Sequence, residues 1–268
     1  MEGLIVTGFT AVKTGVKGIE VLCIEVILRD AQRITETLAL IAFGVLLAGL
    51  ALLAQARRMK ARSCELVVTH HPLLFQGVKQ VNSDTYAGNC LLYLIENSIA
   101  AMNLHTNLDC CPGGVNDVLA AKLGLEHVEI LHPMGTDRQG RPYGLVRMGT
   151  VPEQSLAGFA SFVKQALSCP GVRFADAGKS VRKVAVGGGS CGSEIDAVLA
   201  AGCDTFVTAD LKYNQFEEAK YRGLNLIDAG HFETENPVCE VLERILREAY
   251  PEIPVFRAQK HHDETQFL

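Results

Sequence analysis

Residues Val181–Asp228 read VRKVAVGGGSCGSEIDAVLAAGCDTFVTADLKYNQFEEAKYRGLNLID, and this stretch decides the fold class. Val181–Val186 is a short run rich in β-branched residues that stops at Gly187–Gly189. Glu194–Ala201 has a helical apolar pattern closed by Gly202, and Thr205–Thr208 is a second apolar run. Gln215–Arg222 is again helical and closed by Gly223, and Asn225–Asp228 is a third short strand. Strands and helices alternating at this spacing predict α/β architecture with largely parallel sheets.

The same alternation extends outward. Cys64–Thr69 and Ala100–Leu104 are expected strands, while Asn89–Asn97, Asn116–Leu123 (closed by Gly124) and Pro237–Glu248 are expected helices. Pro133–Pro152, rich in Gly and Pro, reads as a connection or as the lead-in to a second lobe. The organisation expected is a first lobe from residues 61–128 with 229–268 and a second α/β lobe from 129–228.

Composition narrows the function classes. The chain has 268 residues, 48% hydrophobic and 21% charged, which excludes a disordered chain. A net charge of −5 advertises no basic face, so nucleic acid is not the expected partner. Nine Cys, an odd number without a C-x-x-C pair, fit a reduced cytoplasmic chain better than a disulfide framework.

The first sixty residues differ in character. Thr37–Ala54 is an eighteen-residue run without charge, followed by Arg57, Arg58, Lys60 and Arg62. Its length and flanks suit a marginal membrane span with the rest of the chain in the cytoplasm; a buried core helix is the other reading.

Three clusters carry the chemistry. His70-His71-Pro72 follows the first strand, His105 and Asp109 follow the next, and His231 and Glu235 follow Asn225–Asp228. Ligands in open α/β sheets bind beyond the carboxyl ends of strands, which is where all three clusters fall. Adjacent residues on extended chain point apart, so His70 and His71 suit two centres better than one. If a helix begins after Gly230, His231 and Glu235 share one of its faces at i and i+4. Imidazole and carboxylate donors together suit Zn, Mn, Fe or Mg, and one bridging carboxylate suits a two-metal centre that activates water. Gly187–Ser193 resembles a phosphate-cradling nest before a helix, making Gly188 and Gly189 candidate substrate contacts. A tight turn is its bland reading. Cys110–Cys111 read as small buried hydrophobes.

The motifs HHPLLF at His70–Phe75, HTNLDCCPGGVND at His105–Asp117, TADLKYNQ at Thr208–Gln215 and DAGHFETE at Asp228–Glu235 resemble the Nif-three-like family. Its members are commonly labelled GTP cyclohydrolase 1 type 2 homologues. The resemblance covers residues from Ala61 onward in the same order. It implies two α/β lobes, a ring-like homohexamer, and two divalent metal ions per chain. His70, His71, Asp109, His231 and Glu235 would be the ligands, with Glu235 bridging, His71 and Asp109 on one ion, and His70 and His231 on the other. His105 would assist proton transfer, and Asp210 and Lys212 would contact substrate or form an ordinary ion pair.

The implied reaction is hydrolytic opening of the guanine ring of GTP by a metal-activated water, with release of formate. A metal-binding scaffold without turnover, and a different two-metal phosphodiesterase or esterase, are the alternatives. Two departures bear on this. Ala209 and Asn214 stand where the family pattern has Gly and His, and residues 1–60 lack the family's opening α/β unit and its Trp. A reading-frame error in that segment is a third reading of it, beside the span and the core helix.

Overall fold

The computed structural model describes residues 41–43, 64–258 and 261–268. Two sheets organise them. The first is parallel, in the order β10 (Val255–Arg257), β1 (Ile41–Phe43), β2 (Leu66–Thr69), β3 (Ala100–Asn103). Successive side chains of β2 point to opposite faces. Val67 packs with Leu94 of helix α1 (Tyr86–Glu96), while Leu66 and Val68 pack with Val238, Leu242 and Leu246. Helices α2 (Thr106–Cys110) and α3 (Val115–Lys122) then lead to the second sheet.

That sheet has the order β4 (Glu126–Thr136), β5 (Pro142–Gln154), β7 (Val181–Val186), β8 (Thr205–Thr208), β9 (Asn225–Asp228), β6 (Arg173–Ala175). Strands β7, β8 and β9 are parallel, and β4, β5 and β6 join antiparallel. Val184, Val186, Val207 and Ile227 face helix α4 (Leu156–Ala166), whereas Ala185, Phe206 and Leu226 face α5 (Ile195–Ala200) and α6 (Tyr213–Tyr221). Helices α7 (His231–Glu235) and α8 (Val238–Ala249) return the chain to the first sheet. The α/β class expected from Val181–Asp228 is what these residues form.

Two expectations change. Of the two readings of Pro133–Pro152, the plain connection falls and the lead-in stands: it lies in the β4–β5 hairpin that opens the second sheet, turned at Asp137, whose side chain accepts from the N–H groups of Gln139 and Arg141. Pro133 is tolerated because β4 is the outermost strand and its register shifts between Pro133 and Gly135. The Thr37–Ala54 run is not one continuous helix, because Ile41–Phe43 is a strand paired parallel with both β10 and β2. A strand inside a parallel sheet is a continuous apolar run, which in sequence looks like the start of a span. The remainder of residues 1–60 lies outside the described residues, and with it the reading-frame question. Among the described residues no helix is long and apolar enough to cross a membrane.

Candidate metal centre

The carboxyl ends of β2 and β3 from one sheet and of β7, β8 and β9 from the other meet around one cluster of side chains. His70 is the first residue past β2 and is 1% exposed. Its Nδ1 lies 2.7 Å from the carbonyl of Leu104 at the end of β3. A carbonyl can only accept, so Nδ1 carries the proton and Nε2 turns its lone pair inward. The loop is tied by Asn103, which donates to Thr69 Oγ1 and, at 3.3 Å, to the carbonyl of His71.

Glu235 is the hub. Its Oε2 is 3.5 Å from His70 Nε2 and 3.1 Å from His71 Nε2, and its Oε1 is 3.1 Å from His231 Nε2. Asp109 Oδ1 lies 3.5 Å from His70 Nε2, and the Nε2 atoms of His71 and His231 are 3.3 Å apart. His231 and Glu235 do share one helix face, at i and i+4 along α7.

The donors gather as His70–Asp109–Glu235, His71–His231–Glu235 and His70–His71–His105, each group's ligand atoms within 4.8 Å of one another. This differs from the expected pairing, which joined His71 to Asp109 and His70 to His231. The reason is the hydrogen bond to Leu104, which swings His70 toward the β3 side where Asp109 stands.

Charge shapes the cluster. Burial pushes the Asp109 carboxyl up to about 7, although His70 opposes the shift. Burial also works against a charged Glu235, yet His231, His70 and His71 hold it far below the usual carboxylate range. His231 is disfavoured as a cation by burial but is raised to about 9 by Glu235 and then Asp210. For His70, burial is likewise outweighed by Glu235 and Asp109, giving a net rise. His105 goes the other way, lowered by burial and then by His70 and His71.

His70 Nε2, Asp109 Oδ1 and Glu235 Oε2 are buried without a hydrogen-bond partner. Leaving such atoms unsatisfied is costly, and lone pairs converging from imidazoles and carboxylates repel unless a cation sits among them. The donor set therefore fits divalent metal ions, with one imidazole, His70, and two carboxylates, Asp109 and Glu235, as its buried members.

Other residues hold the cluster together, and sequence reasoning passed over them. Asn116, fully buried, donates to the carbonyl of Asp109 at 3.1 Å and accepts from the N–H of Gly188 at 2.8 Å. Thr234 accepts from the N–H of Gly189 at 3.0 Å, and Thr208 accepts from that of Cys191 at 3.1 Å. Arg147 on β5 is 2% exposed, pairs with Asp117, and donates to the carbonyls of Gly144 and Cys110. All but Gly144 and Arg147 fall inside the quoted motifs or the Gly187–Ser193 turn, where buried amides and hydroxyls next to glycines were the available signal.

The Gly-rich turn takes a different role from the one expected. The N–H groups of Gly188 and Gly189 are spent on Asn116 and Thr234, so the turn does not present them to a phosphate. Its glycines serve close approach. Gly189, at φ +63°, lies against Glu235 and His231, and Gly188 lies against Val115. Asp210 sits on His231, its Oδ2 2.7 Å from Nδ1. Lys212 is exposed at the start of α6, where its backbone N–H donates to Gln215 Oε1. Asn214 is exposed in the first turn of that helix. Neither residue belongs to the donor groups.

The fold and the cluster can be set beside known proteins. Residues 42–264 match the sequence model of the Duf34/NIF3 (NGG1p interacting factor 3) family. A Streptomyces coelicolor protein described as a GTP cyclohydrolase 1 type 2 homolog is 41% identical over 183 residues, covering 66% of this chain and 64% of that protein's own length. A Clostridium perfringens protein of the same description is 30% identical over 217 residues, covering 79% of this chain and 81% of the relative. The crystal structure of a hypothetical protein from Staphylococcus aureus superposes with a TM-score of 0.78 at 25% identity, covering 86% of this chain and 88% of the other. The matched span contains every donor of the cluster and the Gly-rich turn packed against it, and the chain belongs to the Duf34/NIF3 family.

Proposed function

We propose that the cluster holds two divalent metal ions, one by His70 and Asp109, the other by His71 and His231, with Glu235 shared. We further infer that the protein is a hydrolase acting on a nucleotide of the GTP type. The observation that carries this reading is the convergence of three buried ligand atoms, on His70, Asp109 and Glu235, within 4.8 Å of one another. Ions in such a place supply Lewis acidity and lower the pKa of a water toward neutrality. Zinc, manganese, iron and magnesium all suit the donors, and availability selects among them.

His105 is the proton acceptor in this reading. Its ring lies 5.3 Å from those of His70 and His71, and burial with those two neighbours favours its neutral form. A neutral imidazole beside a polarised water accepts its proton. Lys212, an exposed cation two residues beyond Asp210, suits a triphosphate.

The substrate class follows the description that the relatives carry, GTP cyclohydrolase 1 type 2 homolog. In such a reaction one water opens the guanine ring between C8 and N9, and a second hydrolyses the resulting formamide, so that C8 leaves as formate. The proposal includes a cytoplasmic homohexamer; the long outer strand β4, with Val128 and Met134 exposed, supports association.

The test is formate release from GTP by zinc- or manganese-loaded protein, with His105→Ala as control. We expect formate in step with GTP loss, and a fall of about a hundredfold or more in the variant with metal content unchanged. No formate would overturn the GTP reading. Cleavage of generic phosphodiesters instead would assign the site to another two-metal hydrolase, and no turnover of either to a metal-binding scaffold.

A further inference from the structure

Asp210 stands on the loop after β8 and His231 opens helix α7 after β9, and their side chains meet at 2.7 Å, Oδ2 to Nδ1. Asp210 reaches this position with φ at +55°, in the left-handed region that non-glycine residues seldom adopt. Asp and Asn are among the few side chains that tolerate it, yet a backbone held there needs support from its surroundings.

The support comes from one carboxylate. Asp228, the last residue of β9, is 6% exposed. Its Oδ2 accepts from the N–H of Leu211 at 3.1 Å, the residue after Asp210. Its Oδ1 accepts from the N–H of Gly230 at 3.2 Å, the residue before His231. A single side chain thus fastens the backbone immediately beside each member of the pair. Arg173, on the edge strand β6, donates to the same Asp228 Oδ2 and, at 3.1 Å, to the carbonyl of Leu211, closing the clamp.

Chemistry gives the pair a direction. A carboxylate on Nδ1 keeps the proton on that nitrogen, so the other nitrogen of the same ring, 3.1 Å from Glu235 Oε1, is the one offered as a ligand. We propose that Asp210 is a positioning residue which fixes the ring plane and tautomer of His231, and that the Asp228–Arg173 clamp holds Asp210 in place to do so. Asp210 therefore acts through His231 and does not contact substrate. The part of the proposal that concerns ion affinity rests on the metal reading above; the part that concerns the His231 ring does not.

Two readouts on the full chain separate them. In histidine-labelled, metal-free protein, the Nδ1–H proton of His231 is expected far downfield and slow to exchange, identified by its absence in His231→Ala. It is lost in Asp210→Ala, weakened in Asp228→Asn, and retained in part by Asp210→Asn, whose amide oxygen can still accept. In zinc titrations against a chelator, Asp210→Ala is expected to weaken one class of site by about ten- to a hundredfold while the other stays unchanged. Asp210→Asn is expected to fall between, and all variants to melt within a few degrees of the parent when metal-free.

If the parent shows no such proton, or if Asp210→Ala binds zinc as the parent does, the proposal is overturned. If the parent binds no zinc but shows the proton and loses it in Asp210→Ala, the metal reading falls and the positioning of His231 stands.

Discussion

A β-carbon built on Gly189 would overlap Oε1 of Glu235 and stand 3.0 Å from Nε2 of His231. The Gly-rich turn after β7 is therefore one wall of the donor cluster, and a side chain there would displace the carboxylate on which three histidines converge. We predict that Gly189→Ala loses most of its bound metal, because Glu235 must move. The left-handed backbone, at φ +63°, adds about 1 kcal/mol of strain. Elemental analysis with a thermal melt checks this; full metal content in the variant would contradict the close packing.

Arg147 and Asp117 join the second sheet to helix α3, which follows the helix that carries Asp109, and their burial is unequal: the Arg147 side chain is 2% exposed and that of Asp117 32%. Removing either breaks the pair, but Asp117→Ala strands a buried guanidinium, whereas Arg147→Met leaves a carboxylate that water can reach. Asp117→Ala is expected to cost about 3–5 kcal/mol and Arg147→Met clearly less. Denaturant unfolding of the two variants measures the order, and equal losses would argue against it.

His261 lies against the ring of Phe232, centroids 4.7 Å apart, and its Nε2 is buried without a hydrogen-bond partner. Burial, with the charges of His262 and Arg257, lowers its pKa to about 4. A histidine lowered in the folded state favours folding fully above its unfolded value of about 6.5, and that contribution is lost as pH falls toward 4. The C-terminal residues 261–268 are thus expected to loosen between those two pH values. Hydrogen exchange of this segment checks it, and His261→Leu should remove the pH dependence.

Much of this was legible in the amino-acid order. Alternating apolar runs and glycine stops placed β2, β7, β8 and β9, and the histidines after them marked the strand ends that meet at the cluster. What escaped was set by tertiary context. The β4–β5 hairpin looked like a connection because Pro and Gly are acceptable at an outer strand with a bulge. The pairing of His70 with Asp109 depends on a hydrogen bond to Leu104, thirty-four residues away, which no local spacing encodes. Gly188 and Gly189 looked like phosphate donors, and only the positions of Asn116 and Thr234 show that their N–H groups are already engaged. Asp210 read as an ion pair or a substrate contact, and its partner proved to be a histidine twenty-one residues on.

Bound ions should also stabilise the fold, since they bind the assembled donors and not the unfolded chain. Metal at a hundred times its dissociation constant adds about 2.7 kcal/mol per site. Chelation is expected to lower the melting temperature and reloading to restore it, and a melt indifferent to chelator would speak against coupling between site and fold.

The most direct measurement is metal content per chain after loading with zinc, manganese or iron, made on the parent and on Glu235→Gln. The account predicts about two ions per chain in the parent, as a carboxylate-bridged pair requires, with loss from both positions in the variant because Glu235 is shared. A parent that retains no ion, or a variant that retains both, would contradict it.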